Sequence, residues 1–394
     1  MSLLLALDLL LGALSLPLLL AALYLAFLAV WSRAANPRAA DRTTAFDIVV
    51  PAHDEQPVIA ETVASLLAID YPHDRFRVWV VADNCSDATA TVAREAGARV
   101  IERHDEVHRG KGYALAYAFE RTDDGFGSAV VVVDADTLVS PNLLSAFSAR
   151  LASGEACLQA DYGVRNPDAS WRTRLMKVAF TLNHVVRSLA RERLGLSCGL
   201  RGNGMAFTRT TLARVPHNAF SIVEDIEYGL RLGQAGIRVA YVHDAHVWGE
   251  MVTGEAASRS QRHRWEAGRR TLRKKHGLPL LRAAWKRRSP LLLDLGLDLL
   301  VPPLTSLVLP LGLLWLAGAV MIVLRFGGGL TLVLSTVACL ALLVYGVRGW
   351  RLSGVPLRDL LVAAPAFVIW KLRLMLARKR PGAGWVRTTR EDRS

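Results

Sequence analysis

Residues 9–31 (LLLGALSLPLLLAALYLAFLAVW) carry no charged side chain, and a helix of that length spans the ~30 Å hydrocarbon core of a bilayer. Arg33, Arg38 and Arg42 follow the run and no Lys or Arg precedes it. The excess of positive charge therefore places the following residues on the cytosolic side. A cleaved leader is the competing reading. It needs a basic segment ahead of a short apolar core, and here Asp8 is the only charge before the run, although Ala34 and Ala35 supply small residues after it.

The C-terminal third is apolar over 290–324 and again over 330–347, with Arg325 the only charge between the two runs. Lys286, Arg287 and Arg288 precede this region; Arg348, Arg351 and Arg358 follow it, then Lys371, Arg373, Arg378, Lys379 and Arg380. An out-and-back pair with Arg325 outside satisfies the charge rule. The first run is too long for one span and carries Asp294, Asp298, Pro302 and Pro303 early. Residues 290–303 thus read as interfacial or partly buried, and 304–347 as two transmembrane helices. Residues 357–378 read as an in-plane amphipathic helix or a further span, and 381–394 as a polar tail. The expectation is an integral protein of the cell (inner) membrane. It has a helix in 1–32, a cytosolic domain over 45–260, and a basic interfacial segment over 261–303.

Of the 394 residues 52% are hydrophobic, and the formal net charge is +13. That balance suits a chain lying against anionic membrane lipid. Nucleic acid is not an expected partner, because the basic residues flank apolar spans rather than aromatic stacking platforms. Cys85, Cys157, Cys198 and Cys339 show no CxxC pairing, so neither a disulfide framework nor structural zinc is expected.

The central stretch has a different pattern. FDIVV (46–50), RVWVVA (77–82) and AVVVV (129–133) are continuous β-branched runs, separated by helical patterns over 58–69, 86–96 and 111–120. Such alternation predicts an α/β domain with a parallel sheet covered on both faces. Ligands of open sheets bind beyond the carboxyl ends of the strands, and Asp83 and Asp134 stand at those ends.

Each polar motif has a plain alternative. Residues 83–87 (DNCSD) could form a turn and helix cap, which accounts for Ser86 or Asp87 but not for Asp83. Asp134 and Asp136, two apart at a strand end, repel each other unless a cation or donors intervene. A magnesium-like ion held by one or two carboxylates plus diphosphate oxygens fits there and neutralises charge on a departing diphosphate; a solvated turn is the alternative. Glu224 and Asp225 open an amphipathic helix, as the helix dipole favours, or supply a general base. Gln261, Arg264 and Trp265 open a basic segment suited to a lipid surface. Arg264 also offers a fork of donors for a diphosphate and Trp265 a flat stacking face. Gly202 and Gly204 permit close backbone approach or form a simple turn. A dinucleotide-dependent oxidoreductase is disfavoured: PAHDEQ, not GxGxxG, follows the first strand. A non-enzymatic membrane scaffold, with the acidic motifs serving only as caps, is a further alternative.

Read together, VVPAHDE (49–55), VADNCSD (81–87), RGKGYAL (109–115), VVDADT (132–137), VEDIEYGLRL (223–232) and QRHRW (261–265) resemble the family 2 inverting glycosyltransferases. The closest likeness is to the membrane-bound branch of cellulose, hyaluronan and poly-N-acetylglucosamine synthases. The resemblance covers about 45–290. It implies a GT-A fold, Rossmann-like with a mostly parallel sheet, and transfer from a UDP-sugar to a glycan or lipid-linked acceptor. It implies that Pro51, Ala52, His53, Glu55 and Asp83 line the uracil and ribose pocket, with Lys111 near the phosphates. Asp134 and Asp136 would bind the diphosphate through Mg²⁺ or Mn²⁺, and His246 would be a further metal-side ligand. Asp225 would be the catalytic base beside Glu224, and Gln261, Arg264 and Trp265 would close over the donor diphosphate and the acceptor end. The chain is shorter than the largest synthases, which leaves a single-addition lipid glycosyltransferase beside the processive reading that QxxRW favours.

Overall fold

The computed structural model describes residues 3–363; most of the 357–378 segment and the whole 381–394 tail lie outside them. After helix α1 (Leu3–Trp31) the chain runs through β1 (Phe46–Ala52), α2 (Ile59–Leu67), β2 (Phe76–Asp83), α3 (Thr89–Glu95), β3 (Arg99–Arg103), α4 (Lys111–Arg121), β4 (Ala129–Val132), β5 (Thr137–Val139) and α5 (Leu143–Ala152). Next come β6 (Cys157–Val164), α6 (Trp171–Phe180), α7 (Arg187–Arg193), β7 (Met205–Thr208), α8 (Arg209–Arg214), α9 (Glu224–Gln234) and β8 (Ala240–Gly249). Four helices follow: α10 (Glu255–Arg287), α11 (Pro290–Leu300), α12 (Thr305–Val323) and α13 (Gly329–Ser353).

Eight strands form one sheet in the order β3-β2-β1-β4-β7-β6-β8-β5. The valine-rich runs are buried on both sides. Ile48 and Val50 face a core shared with α2 and α5, whereas Val49, Val130 and Val132 face one shared with α4 and α9. β3, β2, β1 and β4 are parallel, as the alternating pattern requires. β7 is not. It runs antiparallel to both β4 and β6, with Met205 opposite Val132. The chain enters β7 from the carboxyl end of β4 instead of crossing back over a sheet face. That entry carries Gly202 and Asn203 to the same edge as Asp134.

Three helices among the described residues, α1, α12 and α13, are long and apolar enough to cross a membrane. They pack on one another through Leu25, Leu307, Leu311 and Ala338. Asp8 acts as an N-terminal cap for α13, accepting from Thr331 N at 3.0 Å and Thr331 Oγ1 at 2.7 Å. Its acceptor oxygens satisfy donors that the first turn of a helix leaves open.

The sheet domain is joined to this bundle by specific contacts. α6 continues into α7 through a π-helical turn over Thr181–Val186, and Leu182 and Val186 pack into the same cluster as the spans. Asp294 and Asp298, expected in an interfacial or partly buried segment, lie on α11. Arg191 Nε meets Asp294 Oδ2 at 2.8 Å, and Arg187 Nη1 meets Asp298 Oδ1 at 2.9 Å. Tyr24 of α1 donates to Asp294 at 2.7 Å.

Candidate active site

Beyond the carboxyl ends of β1, β2 and β4 opens a cavity of about 1260 Å³. Its lining includes every residue expected in the site except His246. Pro51, Ala52 and Asp83 come from strand ends, His53 and Glu55 from the loop after β1, and Lys111 from the first turn of α4. Asp134 and Asp136 follow β4, Glu224 and Asp225 open α9, and Gln261, Arg264 and Trp265 project from α10.

Asp83 is buried, and its carboxylate accepts from Arg103 Nη1 at 2.6 Å. His53 Nδ1 lies 2.7 Å from the Asp83 carbonyl oxygen, tying the loop after β1 to the end of β2. The turn reading of 83–87 is realised alongside this: Asp87 Oδ1 accepts from Thr89 N at 2.9 Å.

Lys111 connects the acidic groups. Its Nζ is ion-paired with Asp134 and donates to the Gly202 carbonyl at 2.6 Å. Burial pulls the Lys111 pKa down, but Asp134 and then Glu224 outweigh it and hold the value above that of an ordinary lysine. A Cβ placed on Gly202 would lie 3.4 Å from Asp225 Oδ2 and 3.6 Å from Lys111 Nζ. The φ of Gly202 is +82°, a left-handed backbone that favours glycine. Those distances are ordinary contacts, so the left-handed turn, not close approach, is what calls for glycine here.

Burial raises the pKa of Asp225 against the opposing pull of the Ile226 N–H and Lys111. It raises that of Glu224 as well, again against Lys111. Two carboxyls with raised proton affinity in one cleft mark a candidate acid–base site.

Three buried polar residues that the motifs did not single out hold this edge together. Asn203 Oδ1 accepts from Asp134 N at 3.1 Å, and its Nδ2 donates to Thr137 Oγ1 at 2.8 Å. Gln159 Nε2 donates to the Asn203 carbonyl at 2.7 Å, and its Oε1 accepts from Arg201 N at 2.8 Å. Thr62 Oγ1 donates to the Ala135 carbonyl at 2.8 Å. These contacts span up to seventy-four residues, as between Asn203 and Thr137 or Thr62 and Ala135, and no local pattern announces them. Arg103 was missed for the same reason.

α10 reaches the site because Gly268 lies against Val223, where a Cβ would come within 2.8 Å of Val223 Cγ1. Trp265 stands 6.3 Å, ring to ring, from Phe180 of α6. His246 does not line the cavity. It sits on β8 with Nδ1 3.2 Å from Asp161 Oδ2, and that hydrogen bond raises its pKa. Register explains this, because His246 pairs with Asp161 of β6, away from β4.

The donor set at Asp134 and Asp136 suits a hard divalent ion: two carboxylates, with further oxygens to come from a diphosphate. Among the described residues the trio of metal-competent atoms within 4.8 Å of one another is elsewhere, at Asp54, Cys85 and Asp87. Asp54 and Asp87 there accept the backbone N–H groups of Ser86 and Thr89.

The profile of the family described as "Glycosyltransferase like family 2" matches residues 44–268. Beta-monoglucosyldiacylglycerol synthase from Synechocystis sp. is 30% identical over 228 residues, 56% of this chain and 47% of that protein. Cellulose synthase 1 catalytic subunit [UDP-forming] from Komagataeibacter xylinus is 32% identical over 40% of this chain and 22% of its own length. The chain spans about half the length of the first of these relatives. Among solved structures, the mannosyltransferase PcManGT from Pyrobaculum calidifontis, in complex with GDP-Man and Mn²⁺, superposes with a TM-score of 0.54. It covers 86% of this chain and 98% of its own at 20% identity, and at that identity the likeness is one of fold.

Proposed function

Since the chain belongs to glycosyltransferase family 2, we propose that it is a membrane-embedded inverting enzyme transferring a sugar from a UDP-sugar to a hydroxyl acceptor, glycan or lipid-linked, at the cytosolic membrane face. One observation carries the reading: side chains from β1, β2, the turn after β4, α4, α9 and α10 line a single cavity, with Lys111 paired to Asp134 and within electrostatic reach of Glu224 and Asp225.

The end of the cavity at Pro51, His53, Glu55 and Asp83 takes the nucleoside, and Lys111 attracts the phosphates. Asp134 and Asp136 are the residues that would hold Mg²⁺ or Mn²⁺; the ion supplies positive charge to the leaving diphosphate. Asp225 accepts the proton of the acceptor hydroxyl as its oxygen attacks the anomeric carbon. The bond from that carbon to the diphosphate oxygen breaks on the opposite side, and UDP leaves with the electron pair. One displacement inverts the centre, so an α-linked donor gives a β-linked product. Arg264 presents its fork of donors to the diphosphate, and Trp265 forms a wall between donor and acceptor ends.

The test is direct. Membranes bearing the protein are incubated with a panel of UDP-sugars and Mg²⁺ or Mn²⁺, and UDP release is measured. Metal-dependent release with one sugar supports the reading; no release and no UDP binding with any of them overturns it.

A further inference from the structure

The cavity is larger than the ~300–1,000 Å³ usual for a small-molecule site, and its lining is mixed in chemistry. Beside the charged groups of the candidate site it carries an aliphatic set, Leu175, Val178, Ala179 and Leu182 from α6 and the π-helical turn and Val301 and Leu304 from the link between α11 and α12, interspersed with Asn183, His184 and Arg187. Leu182 and Val301 also belong to the packed core of the membrane bundle, with Leu25, Leu307 and Leu311, and Val178 and Leu304 pack against it. The wall of the catalytic cavity and the core of the spans are thus built from the same side chains.

We infer that the acceptor is a neutral, hydroxyl-bearing membrane lipid that enters sideways between the π-helical turn and the link from α11 to α12. This inference rests on the transfer chemistry proposed above. Where a polysaccharide strand met these six aliphatic side chains its hydroxyls would lack partners, and burying a hydroxyl without a partner is costly. An acyl or prenyl chain loses nothing there. Val301 to Ser306 form this wall immediately before and within the first turn of α12, so a lipid reaching the cavity need not leave the bilayer. Thr305 and Ser306 supply polar atoms where a headgroup would turn toward Asp225.

The π-helical turn opens the passage. The surplus residue of such turns widens a helix locally, frequently at functional sites. A Cβ on Gly349 of α13 would meet Leu182 Cδ2 at 2.2 Å, so that side of the turn is closed by the bundle.

The base separates lipid types. A lipid phosphate reaches the site already ionised and has no proton for Asp225 to remove; a lipid hydroxyl does. Arg270 and Arg273 of α10 also line the cavity, which makes a phosphorylated lipid the rival.

The experiment uses the full chain in phosphatidylcholine nanodiscs with radiolabelled UDP-sugars. Four acceptor probes are compared: dioleoylglycerol, monoglucosyl-dioleoylglycerol, undecaprenyl phosphate and water-soluble cellotetraose. Label is expected on one of the two neutral lipids. Ala179→Trp, which adds bulk within the aliphatic set, is expected to cut that transfer about tenfold or more while UDP affinity stays within about twofold. Label on undecaprenyl phosphate or cellotetraose in preference, UDP-sugar hydrolysis with neither neutral lipid labelled, or unchanged transfer in Ala179→Trp would each overturn the lipid assignment. Absence of UDP binding altogether would instead sink the transferase reading.

Discussion

Arg191 and Asp298 meet at 2.8 Å, with the arginine side chain only 2% exposed and the aspartate 16%. Asp298 also accepts from Arg187 and from Arg269 of α10. One carboxylate therefore connects α7, its own helix α11, and α10, the helix carrying Gln261, Arg264 and Trp265.

Removing this carboxylate would leave buried arginines without a counter-charge. Asp298→Ala is expected to lower stability by about 3–5 kcal/mol, the usual cost of breaking one side of a buried pair. Denaturant unfolding in detergent measures it. A loss within the ~0–1 kcal/mol of a surface pair would show that Asp298 does not hold the parts together.

Asp225→Asn keeps the shape of the side chain and removes the base. Transfer is expected to fall by ~10²–10⁴-fold, while calorimetry shows UDP binding retained. Near-normal turnover would take Asp225 out of the mechanism.

The acid limb of the pH profile follows from the same residue. Asp225 faces Glu224 on its own helix, Lys111 on α4, Arg201 on the loop before β7, and Asp134 after β4; burial raises its pKa beyond what the Ile226 N–H and the cations restore. A raised pKa keeps the proton on, so the carboxylate accumulates only above that value. Transfer should therefore fall with decreasing pH at a midpoint above the ~3.9 of a free aspartate. Glu224→Gln removes a neighbouring negative charge and should move the midpoint to lower pH. A limb that does not move, or moves upward, would contradict the pairing.

Gly202→Ala tests the left-handed turn at the site. The left-handed backbone costs a residue with a Cβ about 1–2 kcal/mol. The added carbon would also lie against Asp225 and Lys111. Transfer should drop more than UDP affinity does; a variant with wild-type stability and rate would show that the left-handed backbone is not needed there.

In the membrane region, Asp8→Leu removes the cap of α13 and should cost ~0.5–2 kcal/mol, with Asp8→Asn retaining most of the wild-type value. Thermal unfolding in detergent distinguishes the two. Equal stability for all three proteins would deny the cap.

Much of the architecture was legible along the chain because its causes are local. A charge-free run from 9 to 31 reads as membrane-crossing by length and polarity alone. The apolar, β-branched runs within 46–50 and 129–133 demand burial on both faces, and they are found buried on both. Asp83, Asp134 and Asp225 stand out because an acid following an apolar run needs a reason.

Distance in space was a different matter. Nothing near residue 203 indicates that Asn203 holds Asp134, and nothing near residue 8 indicates that Asp8 caps a helix more than three hundred residues later. The reversal of β7 and the pairing of His246 with Asp161 depend on which strands become neighbours, a choice made by the packing of the whole sheet. Local chemistry dictated which residues could act; only the closed tertiary structure, by burying them together, decided which ones meet and what their charges feel.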